Sequence, residues 1–392
     1  MFSKILSDEI QQYINNNLDA DVSKLALTKN PFPEIEWGEI LSQIASKQKA
    51  KYKLPTWFNT EKIVYPSKIS IEQTSSEKTA EHKATLVVGN SLIDLTGGFG
   101  VDDYYFSKKF ETIVHCEMNE ELSKIVSHNY NQLKSKNIEC YVGDSTETLK
   151  KLNKKFDWIY IDPSRRNDAK GKVFMLKDCL PNVPELLDFY FEFSENIMIK
   201  TAPILDISAA ILELKNISAI HIVALENEVK ELLFILKKHQ ESKIEINTTN
   251  LLKNKKEEFN FLIKSNTQTP VFSSPKKYIF EPNAAIMKSG GFDEVAIQFG
   301  IEKLHQHSHL YTSSNMIDFP GRVFEVQKSF EYNKANMKSF LENKKSNITT
   351  RNFPETVESI RKKWKIKDGG DLYTFFTTDV NNSKIVLLCT KI

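Results

Sequence analysis

Short apolar runs alternate with amphipathic stretches between about residue 90 and residue 225, and this alternation constrains the fold more than any other feature of the chain. Each run has the length of one strand, and the intervening stretches Glu120–Leu133 and Asp206–Leu214 have the apolar spacing of helices. The predicted strands are Ser91–Leu95, Thr112–Cys116, Ile138–Val142, Trp158–Ile161, Ile197–Lys200 and Ala219–Leu225. Strands that alternate with helices predict a doubly wound, mostly parallel α/β sheet.

The chain before this region has a different pattern. Residues 1–80 have mainly helical spacing, interrupted by prolines and polar loops. One helix is predicted to begin near residue 75, because Ser75 or Ser76 can cap it and an acidic residue follows in its first turn. We therefore expect a helical N-terminal domain over 1–80 and an α/β domain over 81–265.

After residue 225 the alternation loosens. Asn227–Lys238 is predicted to be a helix, and Lys243–Asn247 and Phe259–Ile263 are predicted to be strands. Proline and serine residues cluster at 266–276, as they do in segments that join domains. The remaining chain, 276–392, mixes short strands and helices and is predicted to form an α+β domain.

The composition narrows the class of protein. With 40% hydrophobic and 27% charged residues, the 392-residue chain is typical of globular proteins. Its four cysteines form no CxxC pair, which argues against a disulfide framework and a cysteine-rich zinc site. No run approaches the ~18 apolar residues of a membrane span, so we expect a cytoplasmic protein without a membrane partner. A net charge of +2 does not by itself indicate a nucleic-acid partner, although an excess of basic residues after residue 300 is compatible with phosphate binding.

A glycine-rich turn follows the first predicted strand, in the sequence Asp94-Leu-Thr96-Gly97-Gly98-Phe-Gly100. A strand that ends in an acid and enters such a turn lets the backbone approach a ligand closely. The glycines lack the G-x-G-x-x-G spacing of a pyrophosphate site, and no Walker lysine follows. Taken alone, the segment is equally typical of a tight turn.

Acidic residues end or follow the next two predicted strands. Glu117 closes the second strand, where a carboxylate can accept hydrogen bonds from two ribose hydroxyls; the alternative is a surface glutamate. Asp144 follows the third strand in Val142-Gly-Asp-Ser, where it can bind a ligand, cap the next helix, or do both.

The fourth predicted strand runs into Asp162-Pro163-Ser164-Arg165-Arg166. Ligands bind at the carboxyl ends of strands in open α/β sheets, and a polar residue followed by proline gives a rigid turn there. Asp-Pro alone also fits an ordinary strand exit, but two arginines directly behind it favour phosphate or carboxylate binding.

Together these motifs resemble class I S-adenosylmethionine-dependent methyltransferases over about 80–265, whose fold is a seven-stranded, mostly parallel sheet with helices on both faces. The resemblance implies S-adenosylmethionine as the cofactor and Asp162-Pro163-Ser164-Arg165 as the catalytic motif beside the transferred methyl group. It also implies which residues bind the cofactor: Asp94, Thr96, Gly97, Gly98 and Gly100 for its amino-acid end, Glu117 for ribose, Asp144 for adenine, and Asp162.

The whole chain resembles a narrower group, the bacterial methyltransferases with a C-terminal THUMP-like domain. This likeness rests on stretches such as Gln73-Thr-Ser-Ser-Glu-Lys-Thr-Ala80, Glu281-Pro-Asn-Ala-Ala285 and Lys367-Asp-Gly-Gly-Asp371. It implies a ferredoxin-like unit and a THUMP-like unit within 276–392, and RNA, expected to be tRNA, as the partner. One departure matters: amino-directed nucleic-acid methyltransferases carry an aromatic residue after Asn/Asp-Pro-Pro, and none follows Asp162-Pro163. The sequence therefore does not identify which atom of the acceptor is methylated.

Four hypotheses for function follow. The leading one is methylation of a base in RNA, with tRNA modification as the expected role. The second is methylation of a small molecule or a protein. The third is an RNA-binding protein whose methyltransferase domain no longer catalyses methyl transfer. The fourth is a dinucleotide-dependent oxidoreductase, which the spacing of the glycines disfavours.

No metal is expected. His305, His307 and His309 alternate along the chain without nearby cysteines or acid clusters, which is typical of a solvated loop. The sequence leaves the oligomeric state open.

Overall fold

The computed structural model describes residues 4–165, 175–239, 243–263 and 268–392. Its helices are α1 (Asp8–Asn16), α2 (Val22–Leu25), α3 (Trp37–Lys53), α4 (Pro55–Asn59), α5 (Lys68–Gln73), α6 (Glu77–Ala84), α7 (Val101–Phe106), α8 (Glu120–Gln132), α9 (Ser145–Leu152), α10 (Val183–Tyr190), α11 (Ile207–Glu213), α12 (Ala284–Ser289), α13 (Phe292–Phe299), α14 (Lys334–Phe340) and α15 (Val357–Trp364). Six of these helices precede the first strand, as the pattern of the N-terminal segment predicts.

The strands follow the predicted alternation through the middle of the chain. They are β1 (Ser91–Asp94), β2 (Thr112–Glu117), β3 (Ile138–Val142), β4 (Trp158–Ile161), β5 (Ser164–Arg165), β6 (Cys179–Leu180), β7 (Asn196–Thr201), β8 (Ile217–Leu225), β9 (Glu228–Lys237), β10 (Glu245–Leu251), β11 (Lys256–Leu262), β12 (Tyr278–Pro282), β13 (Glu302–Lys303), β14 (Tyr311–Ser313), β15 (Gly321–Glu331), β16 (Asn347–Arg351), β17 (Leu372–Thr378) and β18 (Lys384–Lys391).

Two compact units divide the chain: residues 1–218 with 230–242, and residues 219–229 with 243–392. In the first unit, five parallel strands lie in the order β7-β4-β1-β2-β3, and β9 pairs antiparallel with β7. Every residue of β4 is buried, as are the last three of β1. Because the central strands are covered on both faces, they are continuous apolar runs, and the predicted mostly parallel α/β sheet is confirmed.

Side-chain caps fix where the helices of this unit begin. The Ser76 hydroxyl accepts a hydrogen bond from the Thr79 backbone N–H at 3.2 Å and starts α6, as predicted. Asn119 caps α8 in the same way by accepting from the Leu122 N–H at 2.9 Å. These oxygens satisfy donors that a helix leaves unpaired in its first turn, which is why the helices start at these residues.

The second unit contains a separate, mostly antiparallel sheet in the order β13-β14-β12-β15-β18-β17-β16. Its β16–β17 pair is parallel, and the other pairs among its described strands are antiparallel. In the same unit β10 pairs parallel with β8 and antiparallel with β11. Helices α12 to α15 interleave with these strands, so the predicted α+β character of the C-terminal region is confirmed. Within the described ranges, no helix combines the length and the apolar composition needed to cross a membrane.

The predicted helix over Asn227–Lys238 is wrong. Glu228–Lys237 is strand β9, and Glu226 and Asn227 before it have φ values of 49° and 64°, typical of a two-residue turn. The leucines, lysines and glutamates of this segment have high helix propensity, which favoured the wrong prediction. Leu232–Leu236 is a run of five buried apolar residues, and such a run fits a strand covered on both faces better than a helix with one polar face.

Candidate active site at the carboxyl edge of the parallel sheet

Asp94 ends β1 and shapes the turn that follows. Its side chain is buried, and its Oδ1 accepts hydrogen bonds from the Thr96 backbone N–H at 2.7 Å and the Thr96 hydroxyl at 3.1 Å. Burial, together with the nearby Asp103 carboxylate, raises the pKa of Asp94 well above its usual value. Asp94 therefore fixes the orientation of the Thr96 hydroxyl.

The glycine loop packs too closely for side chains. A Cβ at Gly97 would lie 2.1 Å from the His115 ring, and a Cβ at Gly100 would lie 2.0 Å from the Tyr130 hydroxyl oxygen. Gly98 and Gly100 also have φ values of 56° and 76°, in the left-handed region that favours glycine. The loop is thus a cradle of backbone without side chains at its glycines, on a rigid base, as a site for close approach of a ligand requires.

Glu117 ends β2 beside this cradle. Its Oε2 accepts a hydrogen bond from the Gly98 N–H at 3.0 Å, and its Oε1 accepts one from the Asn119 N–H at 2.7 Å. The carboxylate is half-buried, and each oxygen has a second lone pair available for a further donor. The structure therefore brings the glycine loop and the second strand end together, as the sequence pattern predicts.

Asp162 joins the same edge through Thr96. Its backbone N–H donates to the Thr96 hydroxyl oxygen at 2.6 Å, so one hydroxyl links the ends of β1 and β4. The Asp162 carboxylate forms an ion pair with the Nζ of Lys200, which lies near the end of the neighbouring strand β7. Burial alone lowers the pKa of Lys200, but Asp162 and the nearby acids outweigh it, so that pKa is raised and Lys200 is charged.

The residues after Asp162 leave the sheet as a short strand. Ser164 and Arg165 form β5, which pairs antiparallel with Leu180 and Cys179 of β6. Pro163 is buried between Asp162 and this strand, which holds the chain at the sheet edge. Arg166 and the side chain of Arg165, both predicted to bind an anion, lie outside the described part of the structure.

A buried ion network lies behind the Asp162–Lys200 pair. The fully buried Nζ of Lys83 lies 3.0 Å from an Asp102 carboxylate oxygen and 2.9 Å from a Glu231 carboxylate oxygen. Asp102 also accepts hydrogen bonds from the hydroxyls of Ser75 and Tyr160 at 3.0 and 2.8 Å. Burying charges is unfavourable unless they are paired, so this network fixes α6, α7 and β9 in one arrangement.

The sequence prediction missed this network and Lys200. Lysine and glutamate within a predicted helix or strand carry no signal of their own, because such residues lie on solvated faces in most proteins. Lys200 offered one signal: it is the last residue of the predicted strand Ile197–Lys200, at the edge where ligands bind in parallel sheets.

Beneath the cradle, Asp103 and His115 form a second buried pair. His115 Nδ1 lies 2.7 Å from Asp103 Oδ2, and both side chains are fully buried. Burial raises the pKa of Asp103 well above its usual value and lowers that of His115. A neutral pair at this place costs less than two buried charges and gives Gly97 a rigid surface to pack on.

Asp144 plays the capping role that the sequence left open. It is exposed, and its Oδ1 accepts hydrogen bonds from the backbone N–H groups of Thr146 and Glu147 at 2.8 and 3.0 Å, which starts α9. Among the described residues no hydrogen bond or ion pair joins the Asp144 and Glu117 side chains, although β2 and β3 are neighbours. Met118, directly after Glu117, is 73% exposed and offers an apolar surface at this edge that sequence reasoning missed.

Two known domain families match the C-terminal region of the chain. A ferredoxin-like domain family matches residues 278–320, and a THUMP domain-like family matches residues 321–391. Among curated proteins, none matches the chain in sequence.

Solved structures resemble both the whole chain and part of it. A candidate methyltransferase from Porphyromonas gingivalis W83 superposes with a TM-score of 0.87 at 29% identity, covering 99% of this chain and 98% of that chain. An rRNA methylase from Streptococcus thermophilus has a TM-score of 0.31 at 14% identity and covers 42% of this chain and 95% of that one. TrmK of M. capricolum, solved with S-adenosylhomocysteine, has a TM-score of 0.33 at 12% identity and covers 41% and 68%.

The last two likenesses are too distant to carry weight for function. The first extends over essentially the full length of both proteins. The chain therefore combines a class I methyltransferase fold with a C-terminal ferredoxin-like domain and a THUMP-like domain, the combination that the sequence resemblance predicts.

Proposed function

We propose that this protein is an S-adenosylmethionine-dependent methyltransferase that methylates a base in RNA, with tRNA as the expected substrate. One observation carries the proposal: Glu117, Gly98, Thr96 and Asp162 are joined by hydrogen bonds at the carboxyl edge of three adjacent parallel strands. This edge is where open α/β sheets bind their ligands.

The residues at this edge fit S-adenosylmethionine. A loop without side chains at Gly97, Gly98 and Gly100 leaves room for the amino-acid end of the cofactor, and Asp94 and Thr96 hold that loop in place. The half-buried carboxylate of Glu117 is suited to accept hydrogen bonds from two ribose hydroxyls. Exposed Met118 offers an apolar surface for adenine, and the exposed Asp144 can accept from the adenine amino group through its second oxygen.

We assign the positioning of the methyl acceptor to Asp162, Pro163, Ser164 and Arg165. S-adenosylmethionine supplies a methyl group on a good leaving group, so the protein mainly has to place the acceptor in line. The Asp162 carboxylate, held by Lys200, accepts a hydrogen bond from an N–H of the acceptor and so orients the nitrogen lone pair. Pro163 fixes the turn, and we assign contact with the nucleotide around the target base to Ser164 and Arg165, which follow it in the chain.

Several features support RNA as the substrate. A THUMP-like domain accompanies the methyltransferase fold, and THUMP domains bind RNA; this argument is by analogy of fold. The last part of the chain also carries an excess of basic residues. We propose a helical domain over 1–80, a catalytic domain over 81–265 and an RNA-gripping region over 276–392. We further propose the cytoplasm as its compartment, since all four cysteines are free.

Isothermal titration of the full-length chain with S-adenosylmethionine, and separately with NAD, tests the cofactor assignment. We expect saturable one-site binding of S-adenosylmethionine and no heat with NAD. Binding of NAD alone would mean an oxidoreductase, and binding of neither would overturn the proposed enzyme. The class of acceptor is then tested by supplying labelled cofactor to separate RNA, protein and small-molecule fractions, where label in RNA alone is the expected result.

A further inference from the structure

The N-terminal helices contain a cavity that none of the proposed functional residues explains. Helices α2, α3 and α5 line about 850 Å³ of space, which lies within the range of small-molecule and nucleotide sites. Three lysines line this cavity: Lys49, Lys53 and Lys68. Two acidic residues, Asp21 and Glu72, line it as well.

Both acidic residues already have partners. The Asp21 carboxylate accepts a hydrogen bond from the Ser23 N–H at 2.9 Å and caps α2. The Glu72 carboxylate lies 3.2 Å from the Nζ of Lys49. The Nζ of Lys53 instead donates to the Glu72 backbone carbonyl at 2.6 Å, which is a neutral acceptor.

Lys53 connects the cavity with the candidate active site. Burial, with added repulsion from Lys200 and Lys230, lowers the pKa of Lys53 to about 8. Lys200, the residue that pairs with Asp162, is thus one of the charges that act on Lys53. Like charges repel one another, and a bound anion would relieve that repulsion.

An aromatic ring stands beside these lysines. Tyr52 lines the same cavity, and its side chain is 86% exposed. Exposed aromatic rings next to basic groups are the combination that binds single-stranded nucleic acids, since bases stack on the ring while the basic groups contact phosphates.

We infer that this cavity is an RNA-binding site, in which Lys53 and Lys68 contact the phosphodiester backbone and Tyr52 stacks on a neighbouring base. The inference rests on the proposed function and assigns the helical N-terminal segment a role in it. The helical N-terminal segment thereby supplies an RNA contact of its own.

Fluorescence anisotropy with a labelled single-stranded RNA of about 12 nucleotides tests this site in the full-length chain. Lys53→Gln, Lys68→Gln and Tyr52→Ala are compared with Lys24→Gln, which removes an exposed lysine of α2 that does not line the cavity. The Kd is measured between about 50 and 200 mM salt, because each lost phosphate contact lowers the slope of log Kd against log salt by about 0.7 for a single strand.

We expect Lys53→Gln and Lys68→Gln each to lower the salt slope by about 0.7, and Tyr52→Ala to weaken binding by about 5- to 150-fold. Lys24→Gln should leave the salt slope unchanged. The exposed Lys68 and Tyr52 keep the test valid if Lys53→Gln unfolds the helices. Binding of S-adenosylmethionine, titrated in parallel, should be unchanged in all four variants.

Two results overturn the inference and leave the proposed cofactor in place. In one, the cavity variants bind RNA with the affinity and salt slope of Lys24→Gln. In the other, the wild-type chain binds S-adenosylmethionine but not RNA. Loss of cofactor binding by the wild-type chain would contradict the proposed function itself, so the two failures are distinguishable.

Discussion

Lys200 and Asp162 form an ion pair where β7 and β4 end side by side, and this pair places a fixed carboxylate at the edge of the sheet. Lys200 is nearly buried, whereas the Asp162 carboxylate is more open to solvent. Lys200 holds the Asp162 carboxylate by its charge, and the carboxylate is still partly exposed. It can therefore accept a hydrogen bond from a substrate. Lys200 is therefore a positioning residue that acts through Asp162.

Replacing Lys200 tests this role. We expect Lys200→Met to lower the kcat of methyl transfer by at least about tenfold, since a hydrogen bond to a charged group contributes ~1.5–3 kcal/mol. Lys200→Arg should restore part of the rate, and the affinity for S-adenosylmethionine should change little in either variant. A purely structural role would instead lower cofactor affinity and thermal stability together, with no rescue by arginine.

Glu117 gives a prediction for the cofactor side. Glu117→Gln keeps the size of the side chain but removes its charge and one of its acceptors, so it should weaken S-adenosylmethionine binding by about 10- to 150-fold. Glu120→Gln is the matched control, because Glu120 is exposed on α8 and pairs with Lys124 on the same helix. Equal affinities for the two variants by titration calorimetry would remove Glu117 from the site.

Substitutions at two glycines, Gly97 and the control Gly38, test how closely the glycine loop packs. Gly97→Ala would push a methyl group into the His115 ring, and we expect a loss of about 1–3 kcal/mol in the free energy of unfolding. Gly38→Ala meets no atom within 4 Å in the exposed start of α3 and should stabilise the chain by up to about 1 kcal/mol. Denaturant unfolding measures both, and a neutral Gly97→Ala would contradict the close approach.

His309 predicts a pH dependence in the C-terminal unit. Burial, with repulsion from Lys303 and Arg351, lowers its pKa to about 4. Because the folded chain binds this proton less readily than the unfolded chain, the stability from His309 is fully present above about pH 6.5 and is lost as the pH falls towards 4. His309→Asn tolerates the φ of 51° and should reduce the slope of unfolding free energy against pH in this window. An unchanged slope by urea unfolding would show that other groups cause the dependence.

The sequence was sufficient for the parallel strands and the cradle because their signals are local. Apolar runs mark β1 to β4, and a glycine turn can be identified from its own residues. The identity of β9 depended on burial beside β7, which no local pattern reports, so helix propensity gave the wrong answer there. The pairing of Lys83 with Glu231 joins residues 148 positions apart, and single side chains give no sign of such a partner.

Transfer of tritiated methyl groups from S-adenosylmethionine to tRNA from a strain that lacks this protein tests the central claim most directly. Wild type is run beside Asp162→Ala and the control Glu120→Gln. The account predicts label in tRNA with wild type and Glu120→Gln, and its loss with Asp162→Ala at cofactor concentrations that saturate that variant. Label that persists in Asp162→Ala would contradict the assigned acceptor site, and cofactor binding without label in any RNA would contradict the RNA methyltransferase itself.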